Sequence, residues 1–250
     1  MSGHSKWAKI KRKKGSKDEK RGRIFTKLIK EITVAARMGG GNPDSNARLR
    51  TAIDTARAAN MPAKNIENAI KKGTGELPGV VYEEVTYEGY GPNGIAILIE
   101  TATDNKKRTV ADIRHILTRY GGNLGETGCV SWMFSKKGYI TVPKSASSEE
   151  EILNEALDAG IEDIISDDPD VYEIYTSPEE FEKVKETLAE AGITIESAEI
   201  TTVPQSTVKI TQDKVAERIL KLMDALDEND DVQKLHSNFD IDDEILKKLE

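Results

Sequence analysis

The chain of 250 residues has one cysteine, three histidines and no long apolar run, and its first 75 residues hold few acids. A lone Cys129 cannot form an intramolecular disulfide, which fits a reducing compartment. His4, His115 and His236 are far apart and near no second cysteine, so no metal-ligand spacing exists, and neither a metal nor a cofactor is expected. The longest apolar stretch, Gly94 to Ile99, is far short of the roughly 20 residues that a bilayer span needs. The basic start, Met1 to Lys14, has no apolar segment behind it to make an export signal. A cytoplasmic protein without a membrane partner is therefore expected, and a monomer is the favoured state.

The scarcity of acid near the N-terminus marks an uneven charge. Residues 1–75 carry 19 Lys and Arg against 6 Asp and Glu, a net of +13, while the rest carries 17 against 38, a net of −21; together these give −8. The first 23 residues, MSGHSKWAKIKRKKGSKDEKRGR, read as a cationic arm on an acidic protein. Dense local positive charge attracts polyanions by releasing their condensed counterions, which makes nucleic acid the first partner to consider. A charge run can also be a solvated tail. Against that stands Trp7 among Lys6, Lys9, Lys11, Arg12, Lys13 and Lys14: a base-stacking platform uses a tryptophan, and a solubility tail has no need of one. Trp7 could equally anchor the arm on the domain behind it. His4 fits a hydrogen-bond donor or a spacer.

Periodicity divides the remainder. From Lys17 to Arg37 the residues Ile24, Phe25, Leu28, Ile32, Ala35 and Ala36 recur at helical spacing, with Lys20, Arg23, Lys27, Lys30 and Arg37 on the opposite side. This predicts a helix with one face to pack and one to meet phosphates. A second helix is predicted from the caps Asp44 and Ser45 to before Pro62, burying Leu49, Ala52, Ile53 and Ala56. A third runs from Pro62 to Gly73, burying Ile66, Ala69 and Ile70. Strands follow at Val80–Glu88 and Ile95–Thr103, then a helix from Lys106 to Tyr120 and a strand at Cys129–Phe134. Tyr139–Val142, Glu149–Ala159, Ile161–Ser166, Val171–Thr176, Pro178–Ala191 and Ile193–Val203 read as βαββαβ, with capping boxes at Ser148/Glu151 and Ser177/Glu180. A strand at Thr207–Ile210, a helix at Asp213–Leu226 and a strand at Val232–Asn238 join the elements between Ile95 and Phe134 in a second such set. The expected fold is α+β in three domains: a basic arm plus small helical bundle at 1–75, a discontinuous ferredoxin-like domain at 79–135 and 205–240, and a second ferredoxin-like domain at 136–204 inserted into it.

Catalytic and cofactor motifs are poorly supported. Gly89-x-Gly91-x-x-Gly94 matches a dinucleotide fingerprint as a string, but a strand follows it, and Pro92 removes a backbone donor; it reads as a hairpin connection. The segment Gly121-Gly122-Asn123-Leu124-Gly125 with Gly128 is either a turn with positive φ or a surface that a partner backbone approaches closely. Cys129 lies in an apparent strand with no nearby base, as a packed small residue would. Asp167-Asp168 and Asp227 to Asp231 look like solvated acidic surface without metal-loop spacing. Lys106, Lys107 and Arg108 form a second, smaller cationic spot. No catalytic residue is identified, and a non-enzymatic protein is expected, an acidic cleft between domains being the enzymatic alternative.

Ser2-Gly3-His4-Ser5-Lys6-Trp7, Arg21-Gly22-Arg23-Ile24-Phe25-Thr26-Lys27, Gly39-Gly40-Gly41 with Pro43, Asn46-x-Arg48-Leu49-Arg50, Asn60-Met61-Pro62, Ala69-Ile70-Lys71-Lys72-Gly73, Tyr87-Glu88-Gly89-Tyr90-Gly91-Pro92-x-Gly94 and Gly121-Gly122-x-Leu124-Gly125-x-x-Gly128 together resemble the YebC family over nearly the whole chain. Asn42, Lys107 and Cys129 depart from its usual Asp, Asn and Ser. The resemblance implies a three-domain cytoplasmic protein described in bacteria as a DNA-binding transcriptional regulator. Mitochondrial relatives resemble translational activators, and bacterial members are also linked to the ribosome. The candidate nucleic-acid contacts are His4, Lys6, Trp7, Lys9, Lys11, Arg12, Lys13, Lys14, Lys20, Arg21, Arg23, Lys27 and Lys30 of the arm and first helix, with Arg48 and Arg50. A DNA-binding transcriptional regulator leads, with a ribosome-associated translation factor bound to ribosomal RNA as the alternative.

Overall fold

The computed structural model describes residues 18–249, with side chains from residue 22 onward except at Asp243. Helices α1 (Asp18–Gly39), α2 (Ala47–Ala58) and α3 (Ala63–Thr74) come first, then strands β1 (Glu83–Tyr90) and β2 (Ala96–Thr103), helix α4 (Lys106–Arg119) and the short β3 (Asn123–Leu124). The series continues with β4 (Phe134–Pro143), α5 (Glu149–Gly160), β5 (Ile161–Ile165), β6 (Val171–Thr176), α6 (Phe181–Glu190) and β7 (Ser197–Pro204). It ends with β8 (Val208–Ile210), α7 (Asp213–Asp227), β9 (Val232–Ser237), β10 (Phe239–Ile241) and α8 (Asp243–Leu249). This is a mixed α/β chain with antiparallel strand pairs, and its described residues form two compact units.

One unit holds residues 18–131, 210–235 and 241–249. Its helical part packs α1 against α2 and α3 around Ile32, Ala35, Ala36, Leu49, Ala52, Ile53, Ala56, Ile66 and Ala69, the residues that the apolar period marks out. Ile24, expected in that seam, is 46% exposed. Helices α1 and α3 touch closely at Gly73, where a Cβ would stand 2.5 Å from the Thr33 carbonyl oxygen and 2.7 Å from Ala36 Cβ, so a larger residue has no room. The cap of α2 is Asn46, not Asp44 or Ser45. Asn46 Oδ1 accepts the Leu49 N–H at 3.0 Å, while its Nδ2 donates to the Ala35 and Gly40 carbonyls at 2.8 and 2.9 Å. An amide, unlike the expected Asp44 carboxylate or Ser45 hydroxyl, serves as acceptor and twofold donor, so it can close the end of α1 and the start of α2 together.

The sheet of this unit runs β3-β1-β2-β9. Strands β1 and β2 form an antiparallel hairpin through Gly91 to Ile95, with Gly91 N–H donating to Ile95 O at 2.8 Å, as expected for the glycine string. The strand expected at Cys129–Phe134 is corrected: Ser131–Met133 is a 3-10 turn, and β4 begins at Phe134. The amides of Gly128, Val130 and Ser131 converge on one carboxylate, Glu88, which a strand ladder does not permit. Burial of Val130 and Phe134 around an exposed Trp132 imitates strand alternation without being one. β3 instead supplies the short edge partner of β1, and Gly122 before it lies so near the Tyr90 carbonyl that a Cβ would collide. The strand expected at Thr207–Ile210 also leaves this sheet, because β8 pairs with β10.

The other unit holds residues 132–209 and 236–240. Its sheet has the order β5-β6-β4-β7, every neighbouring pair antiparallel, and α5 and α6 cover one face. That is the strand order of a split βαβ pair, as the sequence order implies. Alternation along β4 and β6 sends Ile140, Val142 and Ile174 to Ile152, Ala156, Val184 and Leu188 of the helices, and Tyr139, Glu173 and Tyr175 to the opposite face. The capping box at Ser148/Glu151 is complete, whereas Ser177 accepts from Glu180 N–H at 3.2 Å in a turn ahead of α6.

Candidate nucleic-acid interface

The arm residues His4, Lys6, Trp7, Lys9, Lys11, Arg12, Lys13 and Lys14 lie outside the described residues. Lys20 and Arg21 fall in the first turn of α1. Three cations farther along α1, Arg23, Lys27 and Lys30, are engaged by acids of their own unit. Arg23 Nη1 lies 3.2 Å from Glu228 Oε1, and Lys27 Nζ donates to the Asp227 carboxylate at 3.0 Å and carbonyl at 2.7 Å. Lys30 is buried, donating to Asp231 Oδ1 at 2.6 Å, Asp230 O at 2.8 Å and Ala102 O at 3.3 Å.

The expectation of a free cationic stripe on α1 is thus corrected at Lys27 and Lys30. The physical reason is the packing of α1 on more than one side: Lys30, Ile32, Thr33, Val34, Ala35 and Ala36 are all buried, so the polar side of the helix meets protein. Arg48 is committed as well, bidentate to Glu31 at 2.7 and 3.0 Å and to Glu84 at 3.1 and 2.6 Å, with the Glu84 and Glu31 hydrogen bonds holding its pKa above the usual value. Arg50 is exposed, donating to the Pro43 carbonyl at 3.3 Å.

Asp231 is the hub of this network. Its Oδ2 accepts from Arg108 at 2.7 Å, Thr109 Oγ1 at 2.7 Å and Thr103 Oγ1 at 3.2 Å, while Oδ1 takes the Lys30 ammonium. Burial alone would raise its pKa; the hydrogen bonds from Arg108, Lys30 and Thr109 outweigh burial and bring it down to about 2. An open pocket of about 390 Å³ adjoins the hub, lined in part by Tyr82, Asp104, Arg108, Asp112 and Asp230. The acidic run at Asp227 to Asp231, expected to be solvated surface, is in part a set of internal partners for α1. Sequence spacing could not reveal this, because the partners are about 200 residues apart.

A second buried carboxylate shapes the Gly-rich loop. Burial would raise the pKa of Glu88, yet the N–H groups of Gly128, Val130 and Ser131, at 2.7 to 2.8 Å, hold it below the ordinary glutamate value. Cys129 in this loop has its thiol pushed up, by burial first and by the Glu88 charge second, which disfavours the nucleophilic thiolate. Among the described residues no group of three or more His, Cys, Asp or Glu is placed to hold a metal ion. No helix there is long and apolar enough to cross a membrane.

Two family models match the chain: the TACO1/YebC protein N-terminal domain over residues 5–76, and the TACO1/YebC second and third domain over residues 82–239. A protein of Sulfurihydrogenibium sp. (strain YO3AOP1), named a probable transcriptional regulatory protein, is 58% identical over 250 residues and covers 100% of both chains. One of the same name from Chlorobaculum parvum is 58% identical over 250 residues, 100% of this chain and 99% of that one. Among solved structures, a conserved hypothetical protein from Aquifex aeolicus is 52% identical, with a TM-score of 0.79 over 90% of this chain and 92% of its own.

Proposed function

The chain belongs to the TACO1/YebC family, and from that membership we propose that it is a non-enzymatic, nucleic-acid-binding regulator of gene expression, acting in the cytoplasm as a monomer. The leading form of the proposal is a DNA-binding transcriptional regulator, in line with the names of its relatives. The observation that carries it is the charge division: 19 Lys and Arg against 6 acids in residues 1–75, in a protein that is otherwise acidic. In this reading residues 1–75 deliver the polyanion contact. The discontinuous domain at 79–135 and 205–240 holds the bundle through the acids that take up Lys27 and Lys30, and the inserted domain at 136–204 faces other partners.

A specific observation favours a second reading, a ribosome-associated translation factor on ribosomal RNA. With Lys27 and Lys30 engaged by Asp227 and Asp231, the middle of α1 is not free to lay these two side chains in a major groove. Phosphate contacts position a protein but carry no base information, so backbone-directed binding suits structured RNA at least as well as an operator. Gradient sedimentation of a lysate treated with DNase separates the two. Cofractionation with ribosomes that survives the nuclease supports the translational form, and enrichment on a few promoter fragments over random duplex supports the transcriptional one. Absence from both would count against any nucleic-acid role.

A further inference from the structure

The exposed side of α4 carries charges that its own fold does not explain. The positive end of a helix dipole favours acids in the first turn, yet α4 has none there and begins Lys106-Lys107-Arg108. Two of these are answered from within: Lys106 Nζ is 2.5 Å from Glu83 Oε2, and Arg108 Nη2 is 2.7 Å from both Asp104 and Asp231. Lys107 is exposed and pairs with no described residue, so it stands uncompensated against the dipole.

Arg114, seven residues on, lies almost directly below Lys107 on the same stripe, roughly 10 Å along the axis. It too is exposed and pairs with no described residue. Arg119 lies about 120° round the helix from Lys107, its guanidinium 5.7 Å from the Tyr120 ring, and Arg218 of α7 reaches the C-terminal end of α4, 3.6 Å from where a Cβ of Gly121 would be. The dipole accounts for Arg119 and Arg218, which sit at the negative end. It does not account for Arg114 and opposes Lys107. The neighbouring acid Glu217 is taken by Lys221 at 2.7 Å, which leaves Asp112 as the acid on α4 against five cations. A sequence that breaks a local rule without internal compensation points to an external partner.

We propose that this line, Lys107 and Arg114, is a second phosphate-binding surface that receives a phosphodiester backbone alongside residues 1–75. The inference rests on the nucleic-acid reading above and extends it: residues 1–75 are not the whole polyanion contact, and α4 in the acidic remainder adds to it.

The test uses the full chain with two fluorescent probes, a random DNA duplex of about 30 base pairs and an RNA hairpin of similar length, titrated at several salt concentrations. Each lost phosphate contact lowers the slope of log affinity against log salt by about 0.9 on duplex DNA, so Lys107→Ala/Arg114→Ala should flatten it by about 2. Alanine is the best helix former, so the variant keeps its fold, which a circular-dichroism melt checks. A matched variant, Lys136→Ala/Lys234→Ala, removes the same charge from exposed sites elsewhere and should leave the slope unchanged. Flattening on either probe in the first variant alone supports the surface. Equal flattening in both variants reduces the effect to net charge and overturns the inference, as does an unchanged slope in the first while the parent protein binds. A parent protein that binds neither probe overturns the nucleic-acid reading itself.

Discussion

Replacing Lys30 by methionine separates a structural staple from a phosphate ligand. Lys30 is 6% exposed, and its ammonium donates three hydrogen bonds, to Asp231, Asp230 and Ala102. Breaking a buried ion pair by removing one partner costs about 3 to 5 kcal/mol, because the remaining charge is left without compensation. Here Asp231 keeps Arg108, Thr109 and Thr103, so the loss belongs at the lower end, about 3 kcal/mol. Urea unfolding followed by circular dichroism at neutral pH reads the loss directly. The double variant Lys30→Met/Asp231→Asn removes the orphaned charge as well and should lose less than the two single variants added together. Nucleic-acid affinity of the folded Lys30→Met protein should be unchanged. A loss below about 1 kcal/mol, the range of an exposed pair, together with weakened binding, would refute the staple and return Lys30 to the phosphate-facing side.

Acid should destabilise the unit that contains Asp231 in a defined window. Its carboxyl has an ordinary value of 3.8 and a folded value of about 2, so on acidification the unfolded chain takes up the proton first. The contribution, about 2 kcal/mol, is complete well above pH 4, declines between the two values and is gone below about pH 2. Asp231→Asn should therefore flatten the pH dependence of the urea midpoint between these limits, and an unaltered profile would count against the network. Glu88→Gln should weaken the loop from Gly128 to Ser131 by about 1 to 3 kcal/mol, seen as faster amide exchange at those residues, since a neutral amide oxygen replaces an ionised acceptor. Equal exchange in both proteins would argue that the loop holds itself. Gly73→Ala should lower stability by about 1 to 3 kcal/mol through collision with the Thr33 carbonyl and Ala36, and a neutral result would mean that α1 and α3 are not so close.

The elements that were legible in the sequence are those whose signal is local. The apolar periods of α1, α2 and α3 name their own core, and β6 coincides with the expected Val171–Thr176. The order β4-α5-β5-β6-α6-β7 follows from alternating periods, and the Ser148/Glu151 box announces the start of α5. What was not legible depends on distant partners. Nothing near Lys30 indicates that Asp231 will claim it, and the helical wheel puts Lys27 and Lys30 on a polar face without saying that protein covers that face. Similarly, Cys129 to Phe134 alternates like a strand because Val130 and Phe134 are buried, while the carboxylate that folds the loop, Glu88, is some 40 residues away. The cationic start of α4 was visible as Lys106-Lys107-Arg108, but which of the three remain unanswered emerges from the placement of Glu83, Asp104 and Asp231.

The proposed role depends on residues 1–75 drawing a polyanion, and the salt dependence of binding measures that most directly. Residues 1–17 carry seven Lys and Arg, so their removal, which leaves α1 intact, deletes up to seven phosphate contacts. With random duplex DNA, the full chain should bind with a steep negative slope of log affinity against log salt, and the chain of residues 18–250 should bind far more weakly, with a slope smaller by up to about 6. Equal affinity and equal slope for the two chains, or no binding by the full chain to duplex DNA or structured RNA, would contradict it.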